Sequence, residues 1–100
     1  MALHTLNKSP QHRALLDACL NAINAGDALL LLQDGVYAAL RTDQNTRLFA
    51  DSVSGVTLFA LQEDLLARGL TGHLMPNFTT IDYAGFVELA CLHSKTVSWF

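Results

Sequence analysis

The chain has 100 residues, of which 51% are hydrophobic and 15% are charged, and its formal net charge is −3. No uninterrupted apolar run exceeds five residues, whereas a membrane-spanning helix needs about 20, so these data exclude a transmembrane helix. The six basic residues are scattered singly along the chain, which excludes the clustered positive charge of a nucleic-acid-binding protein.

Short apolar segments recur along the chain, and each of the first four is followed by polar residues and a helix-like segment. They predict five strands, at residues 2–6, 29–32, 56–61, 78–81 and 97–100. The second is an unbroken run of leucines, which is typical of a strand buried on both sides in a parallel sheet. Strands that alternate with helices favour βαβ units. We therefore predict a single α/β domain over residues 1–100, with a five-stranded, mostly parallel sheet, helices on both faces and a flavodoxin-like topology.

Four main helices are predicted, and the first has the clearest pattern. At 100° per residue, one arc of this helix collects apolar side chains, namely Leu15, Leu16, Cys19, Leu20 and Ile23. Ser9 is expected to cap its N-terminus, with Pro10 as its first residue. Gly26 and Gly69 are expected to follow helix ends. A shorter helix is predicted over residues 46–52.

Polar residues follow the predicted strands at the edge where the carboxyl ends of parallel strands meet. They are Asn7, Ser9, Asp34, Glu63, Asp64 and Asp82. One interpretation is structural: Asp34 and Asp82 stand where helices begin, so each carboxylate would accept hydrogen bonds from free backbone N–H groups. The other is functional, because the carboxyl ends of strands form the ligand crevice of open α/β sheets. On that interpretation the rim that faces a partner or ligand includes Ser9, Asp34, Glu63, Asp64 and Asp82.

The sequence contains none of the common motifs for nucleotides, hydrolase nucleophiles or zinc, so we predict no cofactor and no metal site. Cys19 lies at the centre of the first helix's apolar arc, which predicts a buried hydrophobic residue. It is also the one candidate catalytic thiol. Cys91 is expected on the shoulder of the last helix's apolar arc, beside Phe86, Val87 and Ala90. The first residues lack the apolar core of a signal peptide, so we expect a cytoplasmic protein with both thiols reduced.

The charged fraction of 15% is low, because charged residues usually make up about 25% of a soluble domain, and the hydrophobic content is correspondingly high. Two aromatic residues, Trp99 and Phe100, lie on the last predicted strand, with no predicted helix after it to cover them. Exposed apolar patches and open strand edges mark surfaces that contact other proteins. We therefore expect another subunit to complete the surface of this chain.

Five blocks of the sequence resemble the TusB/DsrH family of bacterial sulfur-relay proteins. They are LHTLNKSP at 3–10, LLLLQDGVYAAL at 29–40, LFALQEDLLARGL at 58–70, IDYAGFVELA at 81–90 and the near-terminal Trp99. The resemblance implies a DsrEFH-like fold and a heterohexamer with TusC-like and TusD-like sister subunits, the counterparts of DsrF and DsrE. Such complexes pass persulfide sulfur, through small sulfur carriers, toward 2-thiolation of the tRNA wobble uridine. Because the relay cysteine belongs to the TusD-type chain, this chain would be a non-catalytic subunit without direct contact to nucleic acid or membrane.

Two alternatives stay open beside that interpretation. In DsrH-type relatives, which serve dissimilatory sulfur oxidation, a cysteine stands in the corresponding first helix, and Cys19 would then be a sulfur-accepting thiol. An unrelated receiver or flavin-binding module is disfavoured, because residues 7–9 after the first strand lack both an acidic pair and a glycine-containing phosphate loop.

Overall fold

A computed structural model describes residues 1–49 and 54–100 of the chain. Its sheet has five strands, which are β1 (Ala2–Leu6), β2 (Ala28–Leu31), β3 (Thr57–Leu61), β4 (Phe78–Ile81) and β5 (Lys95–Trp99). All neighbouring strands are parallel, and their order is β4-β3-β2-β1-β5. The predicted α/β class is confirmed. The order departs from the flavodoxin order 2-1-3-4-5, because β5 rather than β3 lies beside β1.

The helices of the described residues are α1 (Arg13–Ala22), a 3₁₀ helix (Gln33–Ala39), α2 (Asp43–Leu48), α3 (Gln62–Ala67) and α4 (Tyr83–Leu92). The predicted apolar arc of α1 is confirmed, since Leu16, Cys19, Leu20 and Ile23 are buried. Gly69 follows the end of α3 with a φ of 66°, as predicted.

Two helix starts differ from the prediction. Ser9 and Pro10 do not begin α1: the helix starts at Arg13, and the backbone carbonyl of Ser9 instead accepts a hydrogen bond from the His12 N–H at 3.0 Å. The short helix α2 begins at Asp43, three residues before the predicted start, because the Thr42 hydroxyl caps it by accepting from the Asn45 N–H at 3.1 Å. The predicted end of this helix, residues 50–52, lies outside the described residues.

Strand β2 is the centre of the core, and all of its side chains are buried. Its Leu29 and Leu31 point to one side of the sheet, where they pack with α1, the 3₁₀ helix and Leu65 of α3. Its Leu30 points to the other side, where Phe86 and Leu89 of α4 pack. Full burial of each leucine contributes about 1.5–3 kcal/mol as an upper estimate.

The position of α4 follows from the strand order. From β1 to β4 the chain moves across the sheet in one direction, and then it returns to place β5 on the far side of β1. Because parallel crossovers are right-handed, a reversal of direction puts the connecting helix on the opposite side of the sheet. In the described part of the chain, α4 is therefore the one helix that packs its side chains on that side.

Gly35 lies where the 3₁₀ helix passes over the end of β1. A Cβ at this position would overlap the backbone carbonyl oxygen of Leu6. A backbone atom cannot move away by changing a rotamer, so the 3₁₀ helix reaches this close to β1 only with glycine there.

We predict that Gly35→Ala lowers the free energy of unfolding by about 3 kcal/mol, because the added methyl group forces the 3₁₀ helix away from the sheet. The matched control is Gly69→Ala, whose Cβ would meet no atom within 4 Å and whose left-handed φ alone costs about 1–2 kcal/mol. Urea unfolding of both variants measures the two losses. Equal losses would contradict the steric explanation.

Candidate functional site

Two carboxylates of the carboxyl-end rim, Asp34 and Asp64, meet on one arginine. The Arg68 guanidinium donates to Asp34 Oδ1 from Nη2 at 3.0 Å and from Nε at 3.2 Å, and it reaches Asp64 Oδ1 from Nη1 at 3.4 Å. The other oxygen of Asp64 accepts from the Gln33 N–H at 2.6 Å. That hydrogen bond holds Gln33 in the left-handed region, at a φ of 49°, which a non-glycine residue seldom adopts.

Asp34 is therefore not a helix cap, and that part of the prediction is wrong. The 3₁₀ helix begins one residue earlier, at Gln33, and it has no side-chain cap. The side chain of Asp34 turns instead to Arg68, which lies 34 residues further along the chain.

The start of α4 confirms the other predicted cap. Asp82 accepts a hydrogen bond from the Gly85 N–H at 2.9 Å, as an N-cap carboxylate does. Glu63 of α3 adds a second acceptor, because its Oε2 accepts from the Tyr83 N–H at 3.2 Å. Two carboxylates thus satisfy backbone donors at the positive end of this helix.

The structure brings the predicted rim residues together in smaller groups. Asp34 and Asp64 meet on Arg68, Glu63 and Asp82 meet at the start of α4, and Ser9 lines an open cavity with Asp34 and Tyr37. Each of the four carboxylates has a hydrogen-bond donor within this chain. Contact of this rim with a partner stays a prediction.

The two cysteines lie in opposite environments. Cys19 is 0% exposed, and burial raises the pKa of its thiol to about 12, so the thiol is neutral and inaccessible near pH 7. Cys91 is exposed, and Val87, one turn earlier, is 62% exposed. Their predicted place on the buried arc of the last helix is wrong, because α4 packs on the sheet through Phe86, Leu89 and Ala90.

A buried polar network that joins β1, β5 and the residue before β2 was not predicted. Asp27 accepts hydrogen bonds from the Ala2 N–H at 2.9 Å and from the Asn24 N–H at 3.0 Å, and its Oδ2 lies 3.1 Å from His4 Nε2. The indole Nε1 of Trp99 lies 3.1 Å from His4 Nδ1. Local sequence patterns contain no signal for this network, because its side chains come from both ends and the middle of the chain.

The donor and acceptor roles in the network follow from the indole group, which can only donate. His4 Nδ1 must accept from Trp99, so Nε2 carries the proton and donates to Asp27. Both ring nitrogens are engaged and the imidazole is buried, so His4 has no free nitrogen with which to act as a general base. The network is a structural tie between β1, β5 and the start of β2.

Trp99 consequently turns inward from the edge of the sheet. It is only partly exposed, and its indole ring lies nearly parallel to the His4 imidazole, with ring centroids 6.2 Å apart. Phe100 remains 80% exposed. Of the two aromatic residues expected at the surface, Trp99 instead packs against the core of the chain itself.

The described residues contain no group of three or more His, Cys, Asp or Glu side chains that could hold a metal ion. Their helices are also too short, or too polar, for any of them to cross a membrane.

We predict that Asp27→Asn lowers the free energy of unfolding by about 1–3 kcal/mol at pH 7. The pKa of Asp27 is lowered from 3.8 to about 2, chiefly by the hydrogen bonds from Ala2 and Asn24. A lowered pKa stabilises the folded state at pH values above the pKa of Asp27 in the unfolded chain. This contribution to the free energy of unfolding is complete above about pH 4 and is lost as the pH falls toward 2. The difference between wild type and variant should shrink over that interval.

Urea unfolding at pH 7, 4 and 2.5 measures this difference. Asp17→Asn is the control, because Asp17 is exposed and pairs only with Arg13 on the helix surface, where such pairs contribute about 0.3–0.5 kcal/mol. If the free energy of unfolding lost in Asp27→Asn does not change with pH, the lowered pKa of Asp27 is contradicted.

The environments of the thiols predict their reactivity. In the native protein iodoacetamide should modify Cys91 quickly and Cys19 only after unfolding, because Cys19 is both inaccessible and protonated. Mass spectrometry over time measures the two rates, and Cys91→Ser should show no fast modification. Modification of Cys19 at the rate of Cys91 would show that α1 opens readily.

Comparison with known proteins places the chain in a family. It matches the family model described as DsrH like protein over residues 8–96. It is 46% identical over 99 residues to Protein TusB of Shigella flexneri, an alignment that covers 97% of this chain and 99% of that protein.

Two solved structures share the fold at low sequence identity. The ychN protein from E. coli superposes with a TM-score of 0.72 at 16% identity, covering 98% of this chain and 97% of that chain. A protein of unknown function from Methanobacterium thermoautotrophicum superposes with a TM-score of 0.76 at 14% identity, covering 97% and 96%. The match of the family model over most of the chain, together with a relative of 46% identity, shows that this protein belongs to the DsrH-like family.

Proposed function

We propose that this chain is a non-catalytic subunit of a cytoplasmic sulfur-relay complex, which passes persulfide sulfur toward 2-thiolation of the tRNA wobble uridine. The observation that carries the proposal is the 46% identity to Protein TusB over nearly the whole of both chains. Its partners would be TusC-like and TusD-like sister subunits in a heterohexamer. Small sulfur carriers would exchange sulfur with the complex through those subunits.

The state of the thiols supports a non-catalytic role. A persulfide carrier needs a thiolate that its donor and acceptor can reach. Cys19 is buried and its pKa is raised to about 12. Cys91 is exposed, but it lies in the last turn of α4, which holds no basic residue, rather than at a helix N-terminus, where activated thiols are often found.

The surface of α4 supports a role in an assembly. Tyr83, Val87 and Leu92 are 54%, 62% and 75% exposed, respectively. They do not contribute to the core of this chain. Burial of large apolar side chains against another subunit would remove them from water and stabilise the assembly.

A second candidate is a DsrH-type subunit of a DsrEFH complex in dissimilatory sulfur oxidation. The family model that matches is described as DsrH like protein, and Cys19 lies in the first helix, where DsrH-type relatives have a cysteine. In that role Cys19 would accept sulfur, which would require α1 to move away from the sheet.

Co-expression with the two sister chains tests the proposed function. The expected result is co-purification of all three chains, with loss of 2-thiouridine from tRNA when the gene for this chain is deleted. After incubation with a cysteine desulfurase and cysteine, the TusD-like chain should gain the mass of a sulfur atom and Cys19 should not. A chain that never co-purifies with the sisters, and whose deletion leaves 2-thiouridine unchanged, would overturn the proposal.

The same measurements separate the two candidates. Sulfur on Cys19 that is absent from Cys19→Ser, in a complex that co-purifies with a dissimilatory sulfite reductase, would favour the DsrH-type subunit. The matched variant Cys91→Ser should leave that signal unchanged.

A further inference from the structure

The outward side of α4 is almost as apolar as the side that packs on the sheet. Its exposed residues, which we call the outer face of α4, are Tyr83, Ala84, Val87, Glu88, Cys91 and Leu92. Glu88 is the one charged residue among them. Helices that are apolar all round are typically buried on all sides in folded proteins, whereas α4 has no fully buried residue in this chain. The exposed apolar side chains of the outer face are therefore typical of a surface that contacts another protein.

The charged side chains on the outer face of α4 and at its N-terminal end are all negative. Glu88 lies on it, and Glu63 and Asp82 lie at its N-terminal end, where they contact Tyr83 and Gly85. No lysine or arginine occurs between residues 69 and 94. A partner that is to form ion pairs at this surface must supply the cations itself.

The two nearest cations in the sequence are directed elsewhere. Arg68 is held by Asp34 and Asp64 on the carboxyl-end rim. Lys95 lines a cavity with His4 and Asp27, on the side of the sheet that carries α1. Neither can neutralise Glu88 without leaving its place in this structure.

We propose that the outer face of α4 docks a sister subunit whose matching surface is apolar and carries lysine or arginine. This inference rests on the proposed function, because it takes the partner from the complex proposed there. Charge complementarity favours a sister subunit over a second copy of this chain as the occupant. A two-fold contact places the same patch on both sides, so two copies would bring together carboxylates with no cation, which costs free energy.

Val87→Asp tests the location of the docking surface. A carboxylate in the middle of the outer face should weaken the co-expressed complex at least about tenfold, because the apolar contact of Val87 is lost and a charge must be desolvated in its place. Ala18→Asp is the matched control: it adds the same charge to the exposed side of α1, on the other side of the sheet, and should leave the complex unchanged. Thermal unfolding of each isolated chain checks that both variants fold.

Glu88→Lys tests the charge of the partner. Reversal of this charge should weaken the complex more than Glu88→Gln does, and the difference should decrease at high salt. Asp17→Lys, on the exposed side of α1, should have no effect. A complex that tolerates Glu88→Lys fully would overturn the basic character assigned to the partner surface.

The outcomes separate this inference from the proposed function. If wild type forms the complex and Val87→Asp forms it equally well, the docking surface is wrong and the proposed function stands. If wild type forms no complex with the sisters, the proposed function fails and the inference fails with it. If wild type alone forms a dimer that Val87→Asp separates, a second copy is the occupant and the inference is overturned.

Discussion

The fold depends on keeping water from both sides of β2. A strand whose side chains are all buried needs other residues packed on both sides of the sheet. In this chain the helices are divided unequally between the two sides. One side receives α1, the 3₁₀ helix and parts of α2 and α3, whereas the other receives α4. One helix of ten residues, about 15 Å long, crosses a sheet of five strands. Its inner side is used for the core, and its outer side is exposed.

The polar network of Asp27, His4 and Trp99 stabilises the edge of the same sheet. A strand at the edge is held by hydrogen bonds on one side only, and β5 pairs only with β1. Trp99 fastens β5 to β1 by its side chain, and Asp27 fastens β1 to the turn before β2. Because the imidazole is neutral, the buried Asp27 carboxylate has no counter-ion in this network, and three hydrogen-bond donors stabilise it instead.

Features set by local pattern could be predicted from the sequence. The leucine run of β2, the apolar arc of α1 and the cap at Asp82 each depend on a few neighbouring residues, and each appears as expected. Features that join distant segments could not. Asp34 pairs with a side chain 34 residues away, and Trp99 bonds one 95 residues away. Cys91 and Val87 show a third limit: periodicity finds apolar arcs, but an apolar residue can face a core or a partner, and only tertiary structure distinguishes the two.

The adjacency of β1 and β5 has a consequence for biosynthesis. Their partners are as far apart as Ala2 and Lys95, so β1 emerges from the ribosome long before the strand that closes its outer edge. During that interval the nascent chain carries an apolar strand with unpaired backbone groups, which is a template for aggregation. Non-local pairing of this kind also slows folding. A chaperone that shields the open edge would shorten the time for which the nascent strand is exposed.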